Sequence, residues 1–292
     1  MGDIDRRTAC LWAATLPFIT ACRSSEIPSN DIPVEARSNP ENLEDHLRNT
    51  TFPIGINMDC DPKILDIDGN PIMSFKEERL PGETEESATS VYNDEKGTIL
   101  ISTQHMLMRI PKLGQSKEYP YSGRRKRVKT ITSIRAYIRG MDDHSKREED
   151  CEILMQDPDN DIMLIRSRLK LLTCNHLAPE FDFKGGLDTM ITAYPGLIRE
   201  PVIIRTRTVP IVKEGDDIFE LVEGREVFEG TSGCLVHLVD DHRAIGIIRA
   251  GVGSILNPRA PIYARLIPAR VIEKSLRDHG FDYVADAMLS RN

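Results

Sequence analysis

The sequence contains no CxxC pair, no HExxH and no two cysteines at metal-site spacing, so a zinc centre has no ligand pattern to rest on and no cofactor is expected. Positive charge is also short. Against 46 Asp and Glu stand 38 Lys and Arg, a formal net charge of −8, which argues against a general phosphate-binding surface and against nucleic acid as a partner. The one uncharged N-terminal run, Ala9 to Ala21, falls short of the roughly 20 apolar residues that cross a bilayer. No internal repeat is found. What remains is ordinary globular composition, 40% hydrophobic and 29% charged over 292 residues, enough for one large domain or two small ones.

The N-terminus reads differently from the rest. Arg6 and Arg7 precede the uncharged run, which has the length of a secretory signal core. It ends in Ile19-Thr20-Ala21-Cys22, which resembles the bacterial lipobox, with Cys22 as the lipidated residue. Residues 1–22 are therefore expected to be an export signal, and the protein to reside in the bacterial cell envelope on a lipid anchor. The alternative is an amphipathic or buried first helix, which Asp3 and Asp5 favour. Residues 23–51, rich in Ser, Pro, Asn and Glu, predict a flexible tether, because they offer too little apolar surface to offset ordering entropy. In an exported chain Cys60, Cys151, Cys174 and Cys234 permit two disulfides, with three pairings open.

From Phe52 onward, short β-branched runs recur between turn signals: Ile64 to Ile67, Thr98 to Ser102, Thr130 to Ile138, Ile162 to Ile165, Val202 to Thr208, Cys234 to Val239 and Ala244 to Ile248. The pattern predicts an all-β body. Asp68-Gly69 predicts a hairpin turn rather than a calcium loop, since the other EF-hand ligands are missing. Arg124 to Arg127 predicts a solvated hairpin, and Glu83, Glu85 and Glu86 a loop. Ile267, Val271, Ile272, Leu276 and Phe281 predict one C-terminal helix, with Pro268 in its first turn.

The sharpest local signal is Glu229-Gly230-Thr231-Ser232-Gly233-Cys234. A nucleophilic serine needs backbone N–H groups aimed at the developing oxyanion, and a preceding glycine permits the necessary turn. Here the donors would be Gly230 and Ser232. A hydroxyl also needs a base. Of seven histidines, His105 stands out because it follows the strand-like run Thr98 to Ser102 and its side chain can face a cleft; His176 and His237 remain open on position alone. Asp161 enters the apolar run Ile162 to Ile165 and can be the carboxylate that fixes the imidazole.

These three segments resemble those of trypsin-like (chymotrypsin-fold) serine peptidases: Ile101 to His105 their histidine segment, Asp161 to Arg166 their aspartate strand, Gly230 to Gly233 their nucleophile loop. They occur in the family's order, His before Asp before Ser. Tyr92 to Ile101, Ala193-Tyr194-Pro195-Gly196, Ala244 to Ile247 and Leu266-Ile267-Pro268 are similar to the HtrA/Deg-like bacterial branch, without a PDZ domain. The resemblance implies two six-stranded antiparallel β-barrels over residues 52–285, one about 52–150, one about 165–267, and a helix about 268–280. It implies a serine endopeptidase acting on protein or peptide substrates, with His105, Asp161 and Ser232 as triad and Gly230 and Ser232 as oxyanion hole. Glu226 matches the position at the base of the primary specificity pocket, where a carboxylate favours Lys or Arg. Thr231 and Cys234 depart from the family pattern. The competing readings are a trypsin-fold binding or scaffold protein without activity, and an esterase with the same triad.

Overall fold

A computed structural model describes residues 43–80, 85–108, 112–123, 125–139, 148–173, 176–194, 201–214, 217–223, 230–240, 242–252 and 263–290. Cys22, Cys174, Glu226 and the expected export signal lie outside the described residues.

The first residues described form a helix, α1 (Leu43–Thr50), where a tether to Thr51 was expected. Its charged residues Glu44, Asp45 and Arg48 hide a spacing of four between Leu43 and Leu47, which places both leucines on one buried face. Arg48 donates to the Pro201 carbonyl at 2.8 Å and fixes the helix to the body.

The strands follow in order. They are β1 (Thr51–Leu65), β2 (Pro71–Ser74), β3 (Glu78–Leu80), β4 (Glu85–Asp94) and β5 (Gly97–Thr103). After the short helix α2 (His105–Met108) come β6 (Ser116–Pro120), β7 (Lys126–Arg139), β8 (Glu148–Asp157) and β9 (Ile162–Ser167). Then come β10 (Asp188–Ala193), β11 (Val202–Glu214), β12 (Asp217–Glu223), β13 (Leu235–Leu238), β14 (Ala244–Val252) and β15 (Tyr263–Pro268). The chain closes with α3 (Ala269–Asp278) and α4 (Asp282–Leu289), two helices where one was expected; the turn Gly280, at φ +79°, separates them.

Antiparallel pairing joins β1 to β4, β4 to β5, β5 to β9, β9 to β8, β8 to β7 and β7 back to β1, a closed ring of six. The second ring runs β10-β11-β12-β15-β14-β13. Closure removes the edges on which sheets aggregate. The first barrel extends to Ser167, beyond the expected end near 150, because β8 and β9 complete its ring. One core cluster fills each barrel, Leu100, Met163 and Ile165 in the first and Ile191, Val236 and Ile245 in the second. A third cluster packs α1, α3 and α4 against both, through Leu47, Ile272, Val284, Ile99 and Leu235.

The Asp68-Gly69 turn is a hairpin turn: Asp66 Oδ1 accepts the Asp68 and Asn70 amides at 2.9 and 2.8 Å, and Ile64 pairs with Met73. Of the basic segment, Lys126 and Arg127 lie on β7 of the β6–β7 hairpin, where Arg127 and Lys129 share Glu78 at 2.8 Å each; Arg124 lies outside the described residues. Among the described residues, Cys60, Cys151 and Cys234 are buried free thiols, so the expected disulfides are not formed by these three. Among the described residues, no helix is long and apolar enough to cross a membrane.

His237 on β13 is fully inside, and burial first, then the histidines His46, His176 and His242, push its pKa from 6.5 down to about 3. Burial likewise lowers His46 and His176. The unfolded chain therefore binds protons near pH 6.5 that the folded chain refuses, and stability falls as pH drops through that window. The loss is up to about 1.4 kcal/mol per pH unit for His237 alone. Urea midpoints should fall steadily from pH 7 to pH 5, with a shallower fall in His237→Gln; equal midpoints at the two pH values would contradict the assignment.

Candidate active site

Asp161 owes its place to a turn that the sequence builds locally. Asp157 ends β8 and its Oδ1 accepts the Asp159 and Asn160 amides at 3.2 and 3.1 Å, while its Oδ2 takes the Asn160 side chain at 2.7 Å. Ser275 of α3 donates to the same Oδ2 and ties the turn to the C-terminal helix. The chain then turns into β9 through Asp161 itself, whose φ of +60° is a left-handed conformation rare for anything but Gly, Asn or Asp. Such strain persists only where the surroundings over-determine it.

Those surroundings are His105 and its neighbours. The pairing of Thr103 with Ile162 brings the end of β5 to the start of β9. There the Gln104 amide donates to the Asp161 carbonyl at 3.2 Å, and the His105 amide to Asp161 Oδ1 at 2.7 Å. The second carboxylate oxygen faces His105 Nδ1 at 2.9 Å. One carboxylate thus holds both backbone and ring of the histidine. Met106, fully buried, pins the turn of helix that follows.

The Ser232 loop is anchored by two independent routes, one of which leads to this pair. Through the backbone, the Ser232 carbonyl accepts the Ser87 amide of β4 at 3.0 Å. Ser87 Oγ also donates to the Gly230 carbonyl at 2.8 Å and accepts the Tyr194 amide at 3.0 Å. Through β14, Ser232 Oγ donates to the Arg249 carbonyl at 3.2 Å, and the Arg249 side chain donates from Nε to Asp161 Oδ2 at 3.1 Å. Gly230 and Gly233, at φ +96° and +88°, supply the left-handed turns that bend the loop back on itself.

Two residues at the site were not expected there. Glu86, read from sequence as loop, lies on β4 and is 5% exposed. Its Oε1 faces His105 Nε2 at 3.0 Å and its Oε2 accepts from Thr103 Oγ1 at 2.8 Å. Arg249 carries no motif; the only signal for it was its place on the strand after the serine. With carboxylates on both ring nitrogens, both act as donors. The His105 pKa rises from 6.5 to about 9, through the bond to Asp161 first and that to Glu86 second, against the opposing effect of burial. His105 and Asp161 are thus bonded to each other, Ser232 is linked to Asp161 through Arg249, Gly230 is bonded to Ser87 of β4, and Ser232 and His105 are each bonded to another partner.

No protein-family model and no curated protein matches this sequence. The likeness appears among solved structures. The HtrA-type protease AlgW with a tripeptide superposes at a TM-score of 0.50 with 11% identity, over 81% of this chain and 62% of that one. The Rv3671c protease from M. tuberculosis, in its active form, gives 0.48 with 12% identity, over 92% of this chain and 95% of that one. The likeness to AlgW agrees with the two rings of strands: this chain has the chymotrypsin-like double-barrel fold.

A methyl group on Gly233 would lie 2.0 Å from the Ser87 carbonyl oxygen and 2.3 Å from Ser102 Oγ, in a backbone conformation that side chains resist. Gly233→Ala should therefore cost about 3 kcal/mol or more of stability, from overpacking plus the left-handed backbone. Chemical denaturation checks this. A loss below about 0.5 kcal/mol would mean that the loop does not sit against β4 as described.

Proposed function

We propose that the chain is a serine endopeptidase in which Ser232 is the nucleophile, His105 the general base and acid, and Asp161 the group that orients His105. The observation that carries this is the His105–Asp161 pair, closed at 2.9 Å and braced by a backbone bond at 2.7 Å, with the Ser232 loop bonded to the same neighbourhood. A pair fixed in this way selects the tautomer that leaves Nε2 toward the nucleophile and stabilises imidazolium when it forms.

In the reaction, the Ser232 hydroxyl proton passes to His105 Nε2 while Oγ bonds to the peptide carbonyl carbon. The same proton then goes to the departing amine as the C–N bond breaks, and water releases the acyl group by the reverse sequence. The developing oxyanion needs backbone donors. The Gly230, Thr231 and Ser232 carbonyls are all engaged inside, by Ser87 Oγ, the Cys234 amide and the Ser87 amide. A trans peptide sets the N–H of the next residue opposite its carbonyl, so the bond to the Thr231 carbonyl supports the Ser232 amide as one donor; Gly230 as the other rests on the resemblance of the loop. The tripeptide on AlgW supports peptides as the substrate class.

One observation favours a second reading, a binding protein of the same fold without turnover: Nε2 is occupied by Glu86. A fluorophosphonate probe separates the two. Wild type should be labelled on Ser232 at pH 9, where the His105 base is half released. Ser232→Ala should not react, and His105→Ala should react at least about a hundredfold more slowly, the usual worth of a positioned base. Absence of labelling in folded wild type across pH 7 to 10, or labelling that survives Ser232→Ala, would refute the peptidase reading.

A further inference from the structure

His105 cannot bond to Glu86 and serve Ser232 at the same time. An imidazolium has two N–H donors and no acceptor, and here Asp161 takes the one on Nδ1 and Glu86 the one on Nε2. General-base action requires Nε2 unprotonated and facing the serine hydroxyl. The hydroxyl meanwhile donates to the Arg249 carbonyl.

Glu86 holds this position by design of the strand. β4 pairs with β1 so that Glu86 stands opposite Ile54. The alternation of a pleated strand puts Glu86 on the same face as Ala88, which lies in the first barrel's core. A carboxylate at such a place is costly unless it is bonded. Its two side-chain bonds are to Thr103 Oγ1 and His105 Nε2. Its charge also helps, after burial itself, to push the Cys234 thiol beside the nucleophile up to about 12. The charged groups facing His105 are therefore Glu86 from β4 and Asp161 from the β8–β9 turn, with Arg249 of β14 bonded to the latter.

The geometry points to Glu86 as a positioning residue that latches His105 in a resting state, so that peptide hydrolysis begins only when Ser232 replaces Glu86 at Nε2. This rests on the peptidase reading of the same three residues. The exchange breaks two hydrogen bonds, His105 Nε2 to Glu86 and Ser232 Oγ to the Arg249 carbonyl, forms one from Ser232 Oγ to Nε2, and moves the Nε2 proton to solvent or to Glu86. Binding of a peptide that draws Ser232 off the Arg249 carbonyl, or a rise in pH that removes the ring proton, drives it.

The test is Glu86→Gln, which keeps the side-chain shape and a bond to Thr103 but removes the charge. Two readouts are taken on the purified protein: the His105 ring titration by NMR, and the rate of fluorophosphonate labelling from pH 6 to 10. Wild type should titrate near pH 9, and the variant at least about one unit lower, which gives about tenfold faster labelling at pH 7 and converging rates by pH 10. Thr103→Val, which frees Glu86 Oε2, should shift both readouts the same way by less, and decides the matter if Glu86→Gln does not fold. An unchanged His105 midpoint, or a rate ratio that is the same at every pH, overturns the proposal. If the midpoint moves but neither protein is labelled at any pH, the peptidase reading fails, and the latch fails with it for want of a reaction to restrain.

Discussion

The site depends on Ser87 more than on any residue that would touch a substrate. This one residue of β4 donates its amide to the Ser232 carbonyl, donates its hydroxyl to the Gly230 carbonyl and accepts the Tyr194 amide on the same oxygen. It also receives Ser102 Oγ on its own carbonyl at 2.7 Å. Tyr194 and Gly230 follow strands of the second barrel, whereas Ser87 and Ser102 belong to the first. The amide and hydroxyl of Ser87 are thus spent on joining two barrels while its carbonyl is held within the first, and being fully buried the residue has no water to turn to if a bond is lost. Gly233 shows how close the approach is, since any side chain there would run into the Ser87 carbonyl.

With the barrels held at this seam, four charged groups line up across it: Arg249, Asp161, His105 and Glu86. Arg249 donates to the Asp161 oxygen that also holds the imidazole, and Glu86 faces the other ring nitrogen. The bond to Asp161 first and that to Glu86 second raise the His105 pKa, so part of what decides when the histidine is a base lies in a side chain outside the three proposed catalytic residues.

Much of the fold was legible because barrels of short strands leave a period of β-branched runs, and because His105, Asp161 and Ser232 each sit at the edge of one. Most of what was missed shares one cause, charge that reads as solvent exposure. Glu83, Glu85 and Glu86 look like a solvated loop, and only the pairing of β4 with β1 reveals that Glu86 is turned inward. Glu44, Asp45, His46 and Arg48 likewise conceal the two leucines of α1. Arg249 follows a buried strand segment and reads as its polar end, since its partner is 88 residues away. The end of the first barrel near Ser167 rather than 150 depended on β8 and β9 closing the ring, a long-range pairing that periodicity does not record.

If one site spans the seam, Ser232 and the His105–Asp161 pair must be able to meet. A crystal structure of the fluorophosphonate adduct tests this most directly. It should show phosphorus bonded to Ser232 Oγ, His105 Nε2 withdrawn from Glu86 and directed at the adduct, and the Asp161 contact to Nδ1 intact. Phosphorus on another residue, or an adduct on Ser232 with His105 still bonded to Glu86 and remote from the phosphonyl group, would contradict it.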